Sequence, residues 1–303
     1  MKMRKKVIIT TGDPNGIGAE VTIKALKHFD RNDFFIISNK KVLDFEPDME
    51  IPLDKIELSK ITKEGGEFSY QALKKACELA KTGEFSAIVT APVAKEALHL
   101  AGYNFSGQTE ILEKFLAHNN QKAEMLFVAK DFRVLLLTRH VALKEINLTK
   151  DLIINKVENL NNFLKNHNKI KNPKLALCAF NPHASENGLF GNEEKEILIP
   201  AVEELNKKGI NITMPLPSDT LFVKAGQNYL KEDKIPYDCY IACYHDQGLI
   251  PIKTVASEKT VNTTIGLDII RTSPAHGTAF DIAGKGIADE SSMTEAIRQA
   301  LEY

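Results

Sequence analysis

Short, continuous apolar runs alternate with segments of helical period along this chain, and that alternation restricts the fold more than any other feature. The runs are Val7–Thr11, Phe34–Ser38, Ala87–Thr90, Met125–Val128, Val134–Thr138, Leu175–Phe180 and Tyr240–Tyr244. Most lack polar alternation, the pattern of strands covered on both faces. Between them, Phe68–Lys81 places Leu73, Ala76, Cys77 and Ala80 on one helical stripe and ends near Gly83. Thr149–Asn166 repeats Ile153, Val157, Leu160 and Leu164, with Thr149 as N-cap. Ser292 and Glu295 have the spacing of a capping box opening the last helix. Strands alternating with helices predict an α/β protein with a largely parallel sheet. A length of 303 residues predicts two domains.

Charge and composition exclude several function classes. Basic and acidic residues nearly cancel, 39 against 40, so the chain lacks the basic footprint of a nucleic-acid binder. No apolar run approaches the roughly 18 residues of a membrane span. The start "MKMRKKVIITTGD" is basic and then apolar only over Val7–Ile9, too short for a signal peptide, which predicts a cytoplasmic protein. The four cysteines, Cys77, Cys178, Cys239 and Cys243, then read as reduced and buried. Cys239 and Cys243 share a strand face close to His245, so a cysteine-based zinc site is the alternative.

The first candidate loop is "TTGDPNGIGAE", with Gly12, Gly16 and Gly18. Its spacing is neither the dinucleotide fingerprint nor a Walker loop, which needs Lys and Ser/Thr after the last glycine. It reads as the first strand-to-helix turn, with the helix starting near Ile17. In open α/β sheets ligands gather where strands end. Three histidines each follow a strand: His140 after "RVLLLT", His183 after "LALCAF" and His245 after "YIACY". Imidazoles in equivalent positions suit a divalent transition ion, although each alone reads equally as a surface side chain. Lys253, Asn262 and Arg271 could clamp a phosphate or carboxylate, and on pattern alone two surface charges explain the cations as well. "PAHGTAFDIAGKGIAD", residues 274 to 289, is rich in small residues that let a ligand approach the backbone. It is not GxGxxG, and no strand pattern leads straight into it.

These motifs in order, "TGDPNGIGAEV", "TAPVAKEAL", "AGYNFSGQTEIL", "TRHVAL", "NPHASENGLFGNEE", "PLPSDTLF", "YHDQGLIPIK" and "VNTTIGLDIIRTSPAHGTAFDIAGKGIAD", resemble the 4-hydroxythreonine-4-phosphate dehydrogenase family over nearly the whole chain. The stretch from about Lys40 to Glu64 is short for that family. The resemblance implies an isocitrate/isopropylmalate dehydrogenase-like fold, not Rossmann, with two α/β domains around a central cleft. Residues 1–107 with 251–303 would form the cofactor-side domain, and residues 108–250 the domain carrying the metal ligands and the dimer interface. It implies a homodimer whose active sites are each completed by the partner, and no nucleic-acid or membrane partner. The family's metal ligands fall on His140, His183 and His245, for zinc, magnesium or cobalt; three imidazoles favour a borderline transition ion over magnesium. Substrate contacts fall on Gln108, Thr109, Lys253, Asn262 and Arg271. The 274–289 stretch is similar to the adenosine loop of isopropylmalate dehydrogenases, with His276, Gly277 and Ala279 shaping the adenine pocket and Asp281 accepting from ribose. The first loop, with Gly12 and Asp13, is similar to those enzymes' opening turn and would line the nicotinamide end. Asp281 suggests NAD over NADP.

The implied reaction is NAD-linked oxidation of 4-phosphooxy-L-threonine at its 3-hydroxyl, followed by loss of CO₂ to give 3-amino-2-oxopropyl phosphate, in pyridoxal phosphate biosynthesis. A divalent ion on the hydroxyl would lower its pKa, polarise the ketone and act as electron sink for decarboxylation. Asp219 and Asp246 are candidates for holding an imidazole or relaying a proton. The family commonly has His where this chain has Gln108. An amide can donate to phosphate, but it carries no charge and exchanges no proton. That departure gives weight to a related dehydrogenase for threonate or erythronate 4-phosphate. A phosphate acyltransferase of related fold, a metal-dependent hydrolase and a non-catalytic binding protein are the more distant alternatives.

Overall fold

The structure is a computed structural model, and it describes residues 5–119 and 121–303. In chain order the elements are β1 (Lys6–Thr10), α1 (Gly18–Leu26), β2 (Phe34–Ser38), β3 (Met49–Glu50), α2 (Lys63–Ala80), β4 (Phe85–Thr90), α3 (Lys95–Leu100) and α4 (Gln108–Leu116). There follow β5 (Glu124–Ala129), β6 (Phe132–Leu136), α5 (Lys150–Asn166), β7 (Leu175–Leu177), α6 (Ile199–Lys207), α7 (Ser218–Lys231), β8 (Cys239–Ala242) and α8 (His245–Ala256). Last come β9 (Val261–Ile265), β10 (Ile270–Pro274) and α9 (Ser291–Glu302). The chain is thus α/β, in two compact units: Met1–Ala123 with Val261–Tyr303, and Glu124–Thr260. No helix among the described residues is long and apolar enough to cross a membrane.

In the first unit the strand order is β3-β2-β1-β4-β10-β9. All neighbours are parallel except β9, which runs antiparallel to β10 with Arg271 opposite Thr264 and Ser273 opposite Asn262. The apolar runs are buried on both faces because each face has its own cover. Val7 and Ile9 pack in a cluster with Val21 and Ala25 of α1 and Ile297 of α9, while Ile8 packs in another with Phe68, Ala72 and Ala76 of α2. This is the period-two alternation of a strand between two helical layers. In the second unit the order is β5-β6-β8-β7. β5 and β6 form an antiparallel hairpin, and β6, β8 and β7 run parallel. Lys156 of α5 forms an ion pair with the buried Glu124 at the start of β5.

Several local expectations change. The helix expected over Phe68–Lys81 starts at Lys63, where the Thr62 hydroxyl accepts from the Gly65 N–H; Gly65 and Gly66 hid its first turn. Gly66 is there because α2 and α3 touch: a Cβ on it would lie 1.9 Å from the Ala97 carbonyl oxygen. Thr149 does cap α5, accepting from Leu152 N–H. The capping box at Ser292 does not form, because the Ser292 hydroxyl accepts instead from Ala275 N–H and the helix begins one residue earlier. The N-cap is Glu290, without a side-chain cap bond, and the Asp289 carboxylate just before it accepts from Ser291 N–H. β9 and β10 gave no apolar run, being Thr-, Asn- and Arg-bearing, and β10 leads directly into the 274–289 loop, contrary to expectation.

The three glycines of the first loop serve close backbone packing. Gly12 has φ +70°, and a Cβ on it would sit 2.2 Å from the Pro92 carbonyl oxygen. At Gly16 the clash would be with Thr278 O at 2.7 Å, and at Gly18 with Thr11 O at 2.2 Å. Ile17 N–H donates to Thr278 O at 3.0 Å, joining this loop to the 274–289 loop. Asn15 is equally structural: its amide donates to Thr62 Oγ1 and its oxygen accepts from Glu57 N–H. Asp13 is fully buried. Burial raises its pKa from an ordinary 3.8 to about 6, against the opposing pull of backbone N–H donors at Asn15 and Ala94.

Gly12→Ala should therefore cost about 3 kcal/mol or more in urea unfolding, since both φ and space oppose the methyl; a loss below about 1 kcal/mol would contradict the packing described. For Asp13 the folded chain keeps its proton between pH 3.8 and about 6 while the unfolded chain loses it. Stability thus falls as pH rises through that window and levels off above it, by about 3 kcal/mol for a two-unit shift. Asp13→Asn should raise stability above pH 6, with the gain vanishing below about pH 4. A difference that is the same at both ends would contradict the buried, protonated carboxyl.

Candidate active site

Parallel strands deliver their following loops to one edge, and in the second unit that edge receives all three strand-end histidines. His140 follows β6, with φ 48°, and His245 opens α8 directly after β8. Their rings stand 5.7 Å apart, centroid to centroid, in a cavity of about 280 Å³ lined also by Thr138, Val141, Tyr244 and Asp246. Thr138 Oγ1 donates to Cys243 O at 2.7 Å, tying the two strand ends together. Asp246 Oδ1 is 2.7 Å from His245 Nδ1. With the proton on Nδ1, that carboxylate fixes the ring and leaves the Nε2 lone pair available to a metal. Asp219 lies exposed in the first turn of α7. The preceding residue, Ser218, belongs to a network centred on Gln247. The Gln247 amide nitrogen donates to Ala179 O and Ser218 Oγ, and its oxygen accepts from Cys243 N–H.

His183 sits apart from that pair, on an unusual piece of backbone. His183, Ala184, Ser185, Glu186 and Asn187 all have φ between 43° and 64°, a left-handed helical turn closed by Gly188. For L-residues that conformation costs about 1–2 kcal/mol each, less for Asn. The turn is held by Glu194, a carboxylate 3% exposed. Glu194 Oε1 accepts from the N–H groups of Phe180 and Asn181, and Oε2 from the Asn181 amide and the Ser185 hydroxyl. Burial raises the Glu194 pKa, but these donors outweigh it, and the net shift is downward. Among the described residues no group of three or more His, Cys, Asp or Glu side chains is gathered tightly enough to hold a metal ion. His140 and His245 stand as a pair of imidazoles, and His183 does not join them into such a group. The cysteines are all buried, Cys178, Cys239 and Cys243 with thiol pKa values pushed up by burial, which suits inert thiols rather than zinc ligands. Lys253 does not share the histidine cavity: it lines a second one, of about 380 Å³, with Lys130, Glu232 and Lys259, and burial lowers its pKa.

The first unit collects the remaining candidates at the carboxyl edge of its own sheet. Arg271, on β10, is 3% exposed. Its Nε and Nη2 donate to Thr90 Oγ1 at 2.8 and 2.6 Å, and Nη1 reaches Thr264 Oγ1 at 3.5 Å. Burial pushes its pKa down to about 9, with Glu110 acting in the opposite direction. A buried guanidinium bonded by neutral hydroxyls is suited to an incoming anion. Gln108 and Thr109 open α4, and Asn262 lies on β9 beside β10. The Gln108 amide nitrogen donates to Ala91 O at 3.1 Å, which turns its oxygen the other way. Buried polar atoms without a hydrogen-bond partner among the described residues include Asp13 Oδ2, Gln108 Oε1, Thr109 Oγ1, Asn262 Oδ1 and His276 Nε2. All five residues were singled out from the sequence. A buried polar atom left unpaired is costly, and Thr10, Arg133, Asn168, Tyr240 and Thr294 carry others, so it is the coincidence with the sequence candidates that marks these five. His276 and Gly277 follow β10, Ala279 has φ 42°, and Asp281 is exposed on the same loop. Glu194, Gln247 and Thr138 gave no signal in the sequence, because their role is to accept or donate across loops far apart in the chain.

The chain is similar to known proteins over its full length. The family model described as pyridoxal phosphate biosynthetic protein PdxA matches residues 4–300. A putative D-threonate 4-phosphate dehydrogenase of Oceanobacillus iheyensis is 40% identical, over 99% of this chain and 98% of the relative. A 4-hydroxythreonine-4-phosphate dehydrogenase of Nostoc sp. is 38% identical, over 99% and 93%. The crystal structure of 4-hydroxythreonine-4-phosphate dehydrogenase from Klebsiella pneumoniae superposes with a TM-score of 0.84 at 32% identity, over 99% of this chain and 100% of that one. The match over residues 4–300, with relatives and a solved structure covering nearly the whole chain, shows that the chain belongs to the family of the pyridoxal phosphate biosynthetic protein PdxA.

Proposed function

We propose that this chain is a 4-hydroxythreonine-4-phosphate dehydrogenase, oxidising the 3-hydroxyl of 4-phosphooxy-L-threonine with NAD or NADP in pyridoxal phosphate biosynthesis. Hydride leaves C3 for the nicotinamide and the hydroxyl proton goes to a base. The resulting β-keto acid loses CO₂ to give 3-amino-2-oxopropyl phosphate. The observation that carries this reading is the set of buried, unpaired polar atoms at Asp13, Gln108, Thr109, Asn262 and His276, in the same unit as the buried Arg271, whose guanidinium is bonded to the Thr90 hydroxyl. In this reading Arg271, Asn262, Thr109 and Gln108 bind the phosphorylated substrate, with Lys253 as a further cation. His276, Gly277, Ala279 and Asp281, with the Gly12–Asp13 turn, receive the dinucleotide.

A divalent ion, zinc, magnesium or cobalt, would be held by His140, His183 and His245, and supplies Lewis-acid chemistry that eases loss of the hydroxyl proton. Asp246 orients His245, and Asp219 is the candidate for proton relay. The two units are the halves of an isocitrate/isopropylmalate dehydrogenase-type fold, and the working molecule is a cytoplasmic homodimer whose active sites are completed by the partner. Gln108 supports a second reading, a D-threonate 4-phosphate dehydrogenase, since relatives named for that activity are as similar as those named for the first.

Turnover of 4-phosphooxy-L-threonine, D-threonate 4-phosphate and D-erythronate 4-phosphate with NAD, followed by NADH absorbance with and without chelator, tests the proposal. We expect the first substrate to be preferred, with activity lost on chelation and restored by zinc, cobalt or magnesium. Preference for threonate phosphate selects the second reading, and turnover indifferent to chelation overturns the metal assignment. Arg271→Ala should raise KM for the phosphorylated substrate by roughly 10- to 100-fold, the loss of charged hydrogen bonds, with a smaller effect on kcat. An unchanged KM places the phosphate elsewhere.

A further inference from the structure

The first unit has a second concave face, at the sheet edge opposite the candidate active site. Parallel strands β1, β4 and β10 begin there, and a cavity of about 670 Å³ opens at their starts. Its floor is apolar. Leu116 and Ile269 are buried, and Phe85 is half-buried with its ring edge-on to Phe35 at 5.4 Å. One wall is a polar chain across two loops. Asp268 Oδ1 accepts from Gln121 Nε2 at 2.7 Å, and its Oδ2 stands 3.4 Å from His118 Nε2. Asp268 is the only acidic side chain among the described lining residues, and it is engaged in this way.

The remaining charge on the lining is positive. Lys5 and Lys81 both line the cavity, and neither has an ion-pair partner among the described residues. The last carbonyls of α2, which would oppose an anion, are taken up by the chain itself: Leu79 O accepts from Thr82 N–H and Ala80 O from Gly83 N–H. The sheet is also irregular at this spot. Lys6 pairs with Phe85 but Val7 pairs with Ala87, so Ser86 is an extra residue without a partner on β1. Bulges gather next to binding sites, where they re-aim a side chain. Gly83, at φ +74°, borders open space, with nothing within 4 Å of a Cβ built on it.

We propose that this cavity is a second ligand site, for a small aromatic phosphate whose ring lies against Phe85, Leu116 and Ile269 and whose phosphate is met by Lys5 and Lys81. A phosphate monoester carries about −1.5 to −2 charge at neutral pH, which two ammonium groups match. A cavity of this size suits a ligand of one or two rings. The site is separate from the phosphate clamp proposed above. Phe85 starts β4, whereas Thr90, which accepts from Arg271, ends it. The proposal stands whichever substrate the other edge takes.

The test is titration calorimetry of the full chain with phenyl phosphate, with phenol and inorganic phosphate as its two halves. We expect phenyl phosphate to bind with an affinity at least tenfold above that of either half, and to bind Arg271→Ala equally well. The double variant Lys5→Ala/Lys81→Ala should weaken it by roughly tenfold or more, through loss of charge-assisted contacts. Ser86→Phe, which fills the cavity, should abolish it. Should Ser86→Phe fail to fold, the lysine variant decides, since both its changes are on exposed side chains. Absence of binding, inorganic phosphate binding as well as phenyl phosphate, or an affinity unchanged in the lysine variant would overturn the proposal. Binding lost in Arg271→Ala and kept in the lysine variant would place the probe at the other edge and overturn it as well.

Discussion

A parallel strand cannot return through a tight turn, so each one sends its chain outward at the same edge before a helix brings it back. Much of the grouping of candidate residues in this molecule depends on that constraint. In the first unit β1, β4 and β10 end together, and β9, running the other way, begins there. Asp13, Asn262 and His276, separated by more than 260 residues at the extremes, therefore arrive at one edge. In the second unit β6, β7 and β8 end together and release His140, His183 and His245. Apart from Asn262 and His276, which flank the β9–β10 pair, no member of either set is close to the others in sequence; the strand pairing does the gathering.

This is also why so much was legible. Runs such as Val7–Ile9 and Leu175–Leu177 are apolar on both sides because helices cover both faces, and the histidines stand out as polar residues at their ends. β9 and β10 were invisible for the opposite reason. Thr263, Thr264, Arg271 and Thr272 are buried, but they are polar, and no apolar pattern marks a strand that carries a ligand-binding face. The first loop was legible as a turn, while the reason for its glycines was not. Contacts with Pro92 and Thr278 are long-range, and spacing alone cannot distinguish room for a phosphate from room for another piece of backbone.

The supporting framework was wholly hidden. Glu194, Gln247 and Thr138 each satisfy backbone groups on neighbouring loops, and nothing in "GNEEKE" or "YHDQG" distinguishes a cross-loop acceptor from a surface side chain. Yet these residues tie together the loops and strand ends that carry the histidines. A right-handed turn at 183–187 would need no such carboxylate, whereas the left-handed one is tolerable only while Glu194 holds it. The irregular backbone and the buried charge are two sides of one device. In the first unit Asp13, Gln108, Thr109, Asn262 and His276 each keep a buried polar atom without a partner among the described residues, as a surface completed by a ligand would.

The central claim is that three histidines from three strand ends form one metal centre. Anomalous diffraction from cobalt-loaded crystals tests it most directly. The account predicts a single ordered peak bonded to nitrogens of His140, His183 and His245, at roughly 2.1 Å, the usual metal–imidazole distance. A peak on other residues, or one that His183 does not join, would contradict it.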